Sequence, residues 1–417
     1  MRAEIISIGD ELTSGQRLDT NSQWLSQRLG ELGVETGYHT TVADDLEANT
    51  RVFREAVDRA DIVISTGGLG PTADDLTREV LAAAVGKPLV FDEAAFRHIE
   101  SLFARRARAM PERNKVQAYF PEGSRVIPNP QGTAPGIDVD VPRAGRGPSR
   151  VFALPGVPAE MKEMWSATVG PAIQALQPEP RIIRHRRIKC FGVGESDLEQ
   201  MLPDLIRRGR VPSVGITVHE ATITLRITAA GRDEAECRAA MEPTAQTIYE
   251  CLGELVFGEE DDELQDAVVR LLARRDLTLA VGEWGTAGLL TEWLHELPDA
   301  ERYVVGATVV ASGKAALHAA DAEADVLTGD DAVFTRTTSA LASAMRTRFR
   351  ADIGLAVGGV SAAAVDGSDP PRLTIALATR DGVQVRTAPY TGHSAILKPR
   401  AAKQALNLLR LELLKTV

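Results

Sequence analysis

The residues with the clearest chemical potential lie in one loop, Ser65-Thr66-Gly67-Gly68-Leu69-Gly70-Pro71-Thr72-Ala73-Asp74-Asp75-Leu76-Thr77. Its glycines allow backbone N–H groups to approach an anion closely, and a helix start behind them adds partial positive charge. Thr66 and Thr72 add hydroxyl contacts. The loop is neither a GxxxxGK[ST] phosphate loop nor a GxGxxG dinucleotide fingerprint. Asp74 and Asp75 would repel a phosphate unless a cation lay between, and Mg²⁺ commonly binds through one or two carboxylates plus substrate phosphate. The pairing of a glycine loop with two aspartates therefore fits metal-assisted cleavage of a phosphoanhydride. Ordinary helix capping by aspartate is an equally weighted explanation of the loop taken alone.

Other segments carry the same mixture. Gly9-Asp10-Glu11-Leu12 follows an apolar run, and Gly15 and Asp19-Thr20-Asn21 precede a helical pattern. Asn129-Pro130-Gln131-Gly132-Thr133-Ala134-Pro135-Gly136 forms a second tight glycine turn, and Leu154-Pro155-Gly156-Val157-Pro158-Ala159-Glu160-Met161 a third strand-loop-helix entry. Each alone is more often an ordinary turn. Loops at the carboxyl ends of parallel strands converge on one crevice, however, so together they predict a shared site.

The elements that would position these loops alternate from the start. Glu4–Ile8, Val34–Thr41 and Asp61–Ser65 read as strands, with helices from the Asp19–Asn21 cap to Gly33, over Leu46–Arg59, and from about Asp74 to Val85. This rhythm predicts a sheet covered by helices on both faces. Asp138–Arg150 reads as an exposed hairpin or loop between two strands, Val151–Leu154 as a strand and Ala159–Val169 as a closing helix. Gln177–Pro180 reads as a linker. A βαββα unit follows: strand Ile182–Phe191, helix Ser196–Ile206, strands Ser213–His219 and Thr222–Ala229, and helix Asp233–Leu252. Glu259-Glu260-Asp261-Asp262-Glu263 is an acidic joint, read as solvated linker or a first helical turn. From Leu264 the chain is Ala-rich α/β, with strands at Val305–Ala311, Ile353–Val357, Leu373–Ala378 and Val383–Thr387 and a helix at Ala401–Leu414.

A length of 417 residues suits two or three domains, and a net charge of −11 argues against a broad grip on nucleic acid. Cys190, Cys237 and Cys251 form no CxxC pair and fit a reducing cytoplasm. Glu4, Gly9 and Asp10 interrupt any apolar leader, and no apolar run approaches the roughly 18 residues of a membrane span.

GDEL, the DTN cap, TGGLGPTADDLT, MPERNKVQA, NPQGTAPG and LPGVPAEMKEM occur in order. In these motifs Met1–Val169 resembles the molybdopterin-binding-like domain of the competence-damage inducible (CinA) family. The resemblance implies an α/β chain of three parts: a three-layer molybdopterin-binding-like domain at 1–176, a small α+β KH-like domain at 177–258, and an α/β deamidase-like domain at 259–417. It implies an ADP-ribose pyrophosphatase that yields AMP and ribose 5-phosphate for pyridine-nucleotide salvage. The cofactor would be a divalent metal, Mg²⁺ or Co²⁺, with K⁺ as a further candidate, and the assembly a homodimer. Asp74 and Asp75 would be the catalytic, metal-binding pair. Gly9, Asp10, Glu11, Thr66, Gly67, Gly68, Gly70, Pro71, Thr72, Asn129, Gly132, Thr133, Pro155 and Gly156 would surround the nucleotide. Two alternatives stand beside this reading: a nucleotide or molybdopterin-type binder without turnover, and a competence-related factor associated with nucleic acid.

The middle part is similar to the family's KH-like domain from Phe191-Gly192-Val193-Gly194-Glu195, yet has no GXXG RNA-gripping loop between Gln177 and Gly258. Arg181, Arg184, His185, Arg186, Arg187 and Lys189 form its one basic cluster, read as an edge strand protected by charge. The last part is similar to the family's nicotinamide-mononucleotide deamidase domain, with departures. Trp284 and Gly285 stand where the family motif A-E-S-C-T-G-G-L has its serine nucleophile and cysteine. Ser312 replaces a tyrosine, with Lys314 nearby. Gly358–Ala364, including Ser361, replaces T-G-I-A-G-P-G, and Gly392-His393-Ser394-Ala395 lacks an arginine. An indole cannot form an acyl intermediate, so this site, marked by Trp284, Ser312 and Ser361, is expected to be inactive. A new nucleophile–base pair drawn from Ser361, Ser312, His318 and His393 has no supporting spacing.

Overall fold

A computed structural model describes residues 1–177, 179, 181–202, 204–322, 331–361 and 370–415. The chain divides into two compact units, Met1–Arg184 with Ala229–Ala239, and His185–Thr228 with Ala240–Val417.

In the first unit, strands β1 (Arg2–Ile8), β2 (Glu35–Val42), β3 (Ile62–Thr66), β6 (Arg125–Ile127), β7 (Gly136–Arg143) and β8 (Arg146–Leu154) form one sheet in the order β2-β1-β3-β8-β7-β6. The strands β4 (Leu89–Phe91) and β5 (Tyr119–Pro121) pair separately. The four strands β2, β1, β3 and β8 are mutually parallel, and β7 and β6 add antiparallel. Alternate residues face opposite layers, as strand geometry requires. Ile5, Ile62, Ile64, Phe152 and Leu154 pack with Leu25 and Leu29 of α2 (Thr20–Glu31), which follows the short α1 (Asp10–Thr13), and with residues Met161 to Ile173. Ile6, Val63, Val151 and Ala153 pack on the other face with α3 (Leu46–Arg59) and α4 (Thr77–Val85). These are the three expected layers, with α5 (Glu93–Arg105) also present.

Three details differ from the sequence reading. The helix expected from Asp74 begins at Thr77, with Leu76 as its uncapped N-terminal residue, so both aspartates lie in the loop. Asp138–Arg150 is a hairpin built into the sheet. Asp138 is buried between Arg125 and Arg150, which donate at 2.7–2.9 Å to its two oxygens. The run between Ala159 and Val169 is α6 (Pro158–Met164) and a π-helical turn leading into α7 (Gly170–Ala175).

The chain from Ile182 to Glu259 forms a four-stranded sheet of β9 (Ile182–Cys190), β10 (Ser213–His219), β11 (Thr222–Gly231) and β12 (Val256–Glu259), in the order β10-β11-β9-β12. The helices α8 (Glu195–Met201) and α9 (Glu234–Leu252) complete it. The basic strand β9 is therefore interior, and the edge-strand reading is corrected. The acidic joint supplies its partners: Arg186 reaches Glu259, Arg187 reaches Glu260 and Asp261, and Lys189 reaches Glu263. Glu263 also forms a capping box with Asp266 at the start of α10 (Leu264–Arg275).

The last sheet runs β14 (Val304–Val309), β13 (Leu279–Glu283), β15 (Ile353–Val360), β16 (Arg372–Thr379) and β17 (Gly382–Pro389) in space. Leu279, Val281, Leu355 and Val357 pack on the side of α10, α11 (Leu289–His295) and α14 (Ser394–Lys415). Ala280, Ala356, Ala376 and Ala378 face α12 (Gly313–Ala319) and α13 (Asp331–Arg348). The terminal helix starts at Ser394, earlier than expected. No helix of the described residues is long and apolar enough to cross a membrane.

Candidate functional site

Register places the ends of the four parallel strands abreast: Ile8 lies beside Val42, Ser7 beside Thr66, and Thr66 beside Leu154. Strand order reverses at β1, which sits between β2 and β3, the kind of switch point where open sheets bind ligands. The loops leaving these ends enclose a cleft of about 410 Å³. Gly9, Glu11, Gly67, Gly68, Gly70, Pro71, Asp74, Asp75, Thr133, Pro155 and Gly156 line it, so most of the residues singled out from sequence meet there.

The glycine loop is held from several sides. Gly67 has φ +107°, and a Cβ there would lie 2.3 Å from the carbonyl oxygen of Ile8. Only glycine lets β3 turn away so close to β1. A Cβ at Gly70 would lie 2.3 Å from Oδ2 of Asp75, because that carboxylate is folded under the loop. Gly70 N–H donates to Asp75 Oδ1 at 2.7 Å, and Thr72 donates to Oδ2 through its N–H at 2.9 Å and its hydroxyl at 2.5 Å. Asp75 is thus a clip for the loop, whereas Asp74 stands exposed in the cleft lining. The N–H groups of Gly68 and Leu69 have no acceptor among the described residues.

Three side chains that sequence reasoning passed over support the loop from behind. Arg78 is buried, and its guanidinium donates to the carbonyls of Gly70 (3.1 Å) and Leu69. Burial pulls its pKa down to about 10. Gln117 donates to the Leu69 carbonyl at 3.3 Å and accepts from Asn114 at 2.9 Å. The MPERNKVQA motif is thereby given a place, as a brace for the loop. Nothing in the pattern marked Arg78, since an arginine early in an amphipathic helix normally faces water.

Asn21 joins two loops, donating from Nδ2 to Thr66 Oγ1 and to the Gly156 carbonyl, each at 3.0 Å. The Thr66 hydroxyl donates to the Pro155 carbonyl at 3.2 Å and is buried outside the main cleft. Asn129 is wholly buried: it donates to Glu160 Oε2 at 2.7 Å and accepts from Gly132 N–H at 2.9 Å. It shapes its turn, which presents Thr133 and Ala134 to the cleft beside Glu160 of α6. Asp10, Thr72, Asn129 and Gly132 are outside the lining.

The cleft is strongly acidic. Glu11, Asp44, Asp74, Asp75 and Glu160 line it, and Arg17 is the single cationic side chain among its described lining residues. Asp44 and Asp10 clasp each other's backbone N–H at 3.0 and 3.1 Å. Burial, and then the charges of Asp10, Asp74 and Glu11, hold the Asp44 carboxyl above its ordinary range despite the Asp10 N–H. Carboxylates gathered in this way favour a cation. Among the described residues no three His, Cys, Asp or Glu side chains are placed to hold a metal by themselves. Glu11, Asp44, Asp74, Asp75 and Glu160 are the residues of the lining that could share an ion with substrate oxygens.

The corresponding position of the last sheet is filled. Glu283 ends β13 with its side chain wholly buried. Its carboxylate accepts from Thr286 Oγ1 (2.6 Å), Gly288 N–H (3.0 Å), Leu290 N–H (3.1 Å), Thr291 N–H (2.7 Å) and the Thr291 hydroxyl. Trp284 follows, stacked on Phe334 with centroids 5.4 Å apart. Its ring edge lies so near Gly313 and Gly359 that a Cβ at either would approach within 2.8 Å. A Cβ at Gly285 would lie 2.1 Å from the Gly358 carbonyl oxygen, so this backbone has no room for a cysteine there. Ser312 caps α12, accepting from Ala315 N–H at 3.2 Å, and Ser361 accepts from Arg372 N–H at 3.1 Å. Lys314, His318, His393 and Ser394 are exposed. Ala362–Ala364 lie outside the described residues.

Three family models match successive stretches of the chain. Residues 4–175 match the family described as "Probable molybdopterin binding domain", 185–258 the "Damage-inducible protein CinA KH domain" and 261–413 the "CinA C-terminal domain". A CinA-like protein of Frankia casuarinae is 37% identical over 98% of this chain and 96% of its own. Another, from Dictyoglomus thermophilum, is 34% identical over 99% of this chain and all of its own. The crystal structure of the protein CinA with unknown function from Thermoplasma acidophilum is 35% identical, covering 41% of this chain and 96% of that one, with a TM-score of 0.37.

Proposed function

The chain belongs to the CinA family, and from that premise we propose that its first domain hydrolyses ADP-ribose to AMP and ribose 5-phosphate with a divalent metal. The observation that carries the reading is the cleft's combination of a glycine loop with Asp74 exposed beside it and further carboxylates around it. Phosphate oxygens suit the loop, and the acidic wall suits the cation that must accompany them. A divalent ion, Mg²⁺ or Co²⁺, would neutralise phosphate charge and polarise the anhydride, with K⁺ as a further candidate. Asp74 would hold it. Asp75, Arg78 and Gln117 would keep the loop shaped for phosphate. Asp44, a further carboxylate of the same lining, is the candidate to take a proton from the attacking water. Water oxygen would bond to one phosphorus as the bridging P–O bond breaks.

The C-terminal domain is proposed to lack amidase activity, because Trp284 fills the nucleophile's place and the backbone at Gly285 admits no side chain. A homodimer in the cytoplasm, without nucleic acid, completes the proposal. The pairing of β9 arginines with the 259–263 carboxylates supports the last point.

The test is product analysis of the purified chain with ADP-ribose, with and without Mg²⁺ or Co²⁺. Metal-dependent release of AMP and ribose 5-phosphate is expected. Tight nucleotide binding with no products under any metal would favour a binder without turnover, the reading for which the matched family's description speaks.

A further inference from the structure

The second unit contains a separate groove of about 710 Å³ between α10, the turn leading into β12, and α14. Its charge is the reverse of the chain's. The chain carries −11, yet Arg270, Arg274 and Arg410 line the groove against one carboxylate residue, Glu254, which is exposed.

Arg410 is 3% exposed. Its guanidinium donates to Asn407 Oδ1 (2.8 and 3.0 Å), to the Val256 carbonyl (3.3 Å) and to the Glu254 carbonyl. All these acceptors are neutral, so they satisfy N–H groups without cancelling the charge. A buried cation without a carboxylate at hydrogen-bond distance is costly unless an anion reaches it. Burial indeed draws the Arg410 pKa down. On α10, Arg270 and Arg274 are four residues apart on one helix face, where like charges repel. Arg270 is neutralised by a two-pronged pair with Asp262, each contact 2.8 Å. Arg274 has no ion-pair partner among the described residues. The walls between these cations are apolar, formed chiefly by Leu271, Phe257 and Leu414. The volume lies within the usual range of small-molecule sites.

We propose that this groove binds a small organic phosphate with an apolar or aromatic body, its phosphate between Arg274 and Arg410 and its body against Leu271 and Leu414. Guanidinium forks match phosphate oxygens in shape and charge. The site is independent of the first-domain cleft and of the reaction proposed there.

The test is calorimetric titration of the full chain with phenyl phosphate in EDTA, which keeps any divalent ion from the first-domain cleft. The parent is expected to bind at sub-millimolar concentration, more tightly than it binds inorganic phosphate, with phenol giving no signal. Arg274→Glu should weaken binding by about tenfold or more. Leu271→Trp should abolish it by filling the groove, and Asp74→Asn should leave it unchanged. Arg274 is exposed and Leu271 only partly buried, so thermal unfolding of both variants checks that the fold persists. No binding by the parent at millimolar concentration would overturn the proposal. So would equal affinity in parent, Arg274→Glu and Leu271→Trp, loss through Asp74→Asn, or inorganic phosphate binding as tightly as phenyl phosphate.

Discussion

Ser65–Thr77 and Glu283–Leu289 occupy equivalent places in two different sheets. Each leaves the carboxyl end of a parallel strand flanked on both sides, β3 between β1 and β8, and β13 between β14 and β15, and each leads into a helix. In both, one acidic side chain gathers the loop's donors: Asp75 in the first, Glu283 in the second. The outcomes differ because of what the remaining positions carry. In the first loop glycines leave space, and Asp74 enters a cleft. In the second, Trp284 stacks on Phe334 and closes against Gly313 and Gly359. A scaffold can therefore be kept intact by its internal carboxylate while the space above it is open or filled.

Asp74 is where the two loops should differ most in effect. Asp74→Asn should lower ADP-ribose turnover by about a hundredfold or more with an unchanged melting temperature, because the side chain is exposed and its proposed role is to hold the ion. Steady-state rates at saturating metal check it, and a parental rate would reduce Asp74 to a surface residue.

Glu283→Ala should come next in size. It leaves buried donors unsatisfied and should destabilise the C-terminal domain by about 3 kcal/mol or more, read by denaturant unfolding. Trp284→Ser, alone or with Gly285→Cys, should release no ammonia from nicotinamide mononucleotide, since residues that act as a unit fail together. Ammonia release by the unaltered chain would show a relocated site and end the contrast between the two loops.

Asp75→Ala should give a mixed phenotype that separates it from its neighbour. Loss of three loop hydrogen bonds should cost about 1–3 kcal/mol of stability and reduce turnover as well. If thermal unfolding of Asp75→Ala matches the parent, the clip assignment is wrong.

The smallest effect concerns Asp44. Its carboxyl is raised in the folded chain by burial and by Asp10, Asp74 and Glu11. A raised folded pKa means that this group's contribution favours folding below the unfolded value and is lost as pH rises through the folded one. Asp44→Asn should therefore be slightly more stable than the parent at neutral pH, with the difference vanishing on acidification below the ordinary aspartate range. The gain in melting temperature from added Mg²⁺ should shrink in the variant. An equal gain in both would place the cation away from Asp44.

The three-part α/β organisation and the convergence of glycine loops were legible in the sequence because strand alternation and strand–loop–helix order are local properties. The same holds for the exclusion of a serine nucleophile at 284, since residue identity alone decides it. Tertiary structure was needed wherever a partner is distant in the chain. The two aspartates are adjacent and both line the cleft, and only the folded loop makes Asp75 its clip while Asp74 stands exposed. The basic strand looked like an exposed edge until its carboxylate partners, some seventy residues on, came to lie beside it. Arg78 carries no sequence signal, and the motifs that contain Asn21 and Gln117 do not give their roles, because the hydrogen bonds go to carbonyls and hydroxyls that become neighbours only when the strand ends align. Side-chain type fixes what each group can donate or accept, and the fold decides what stands opposite it.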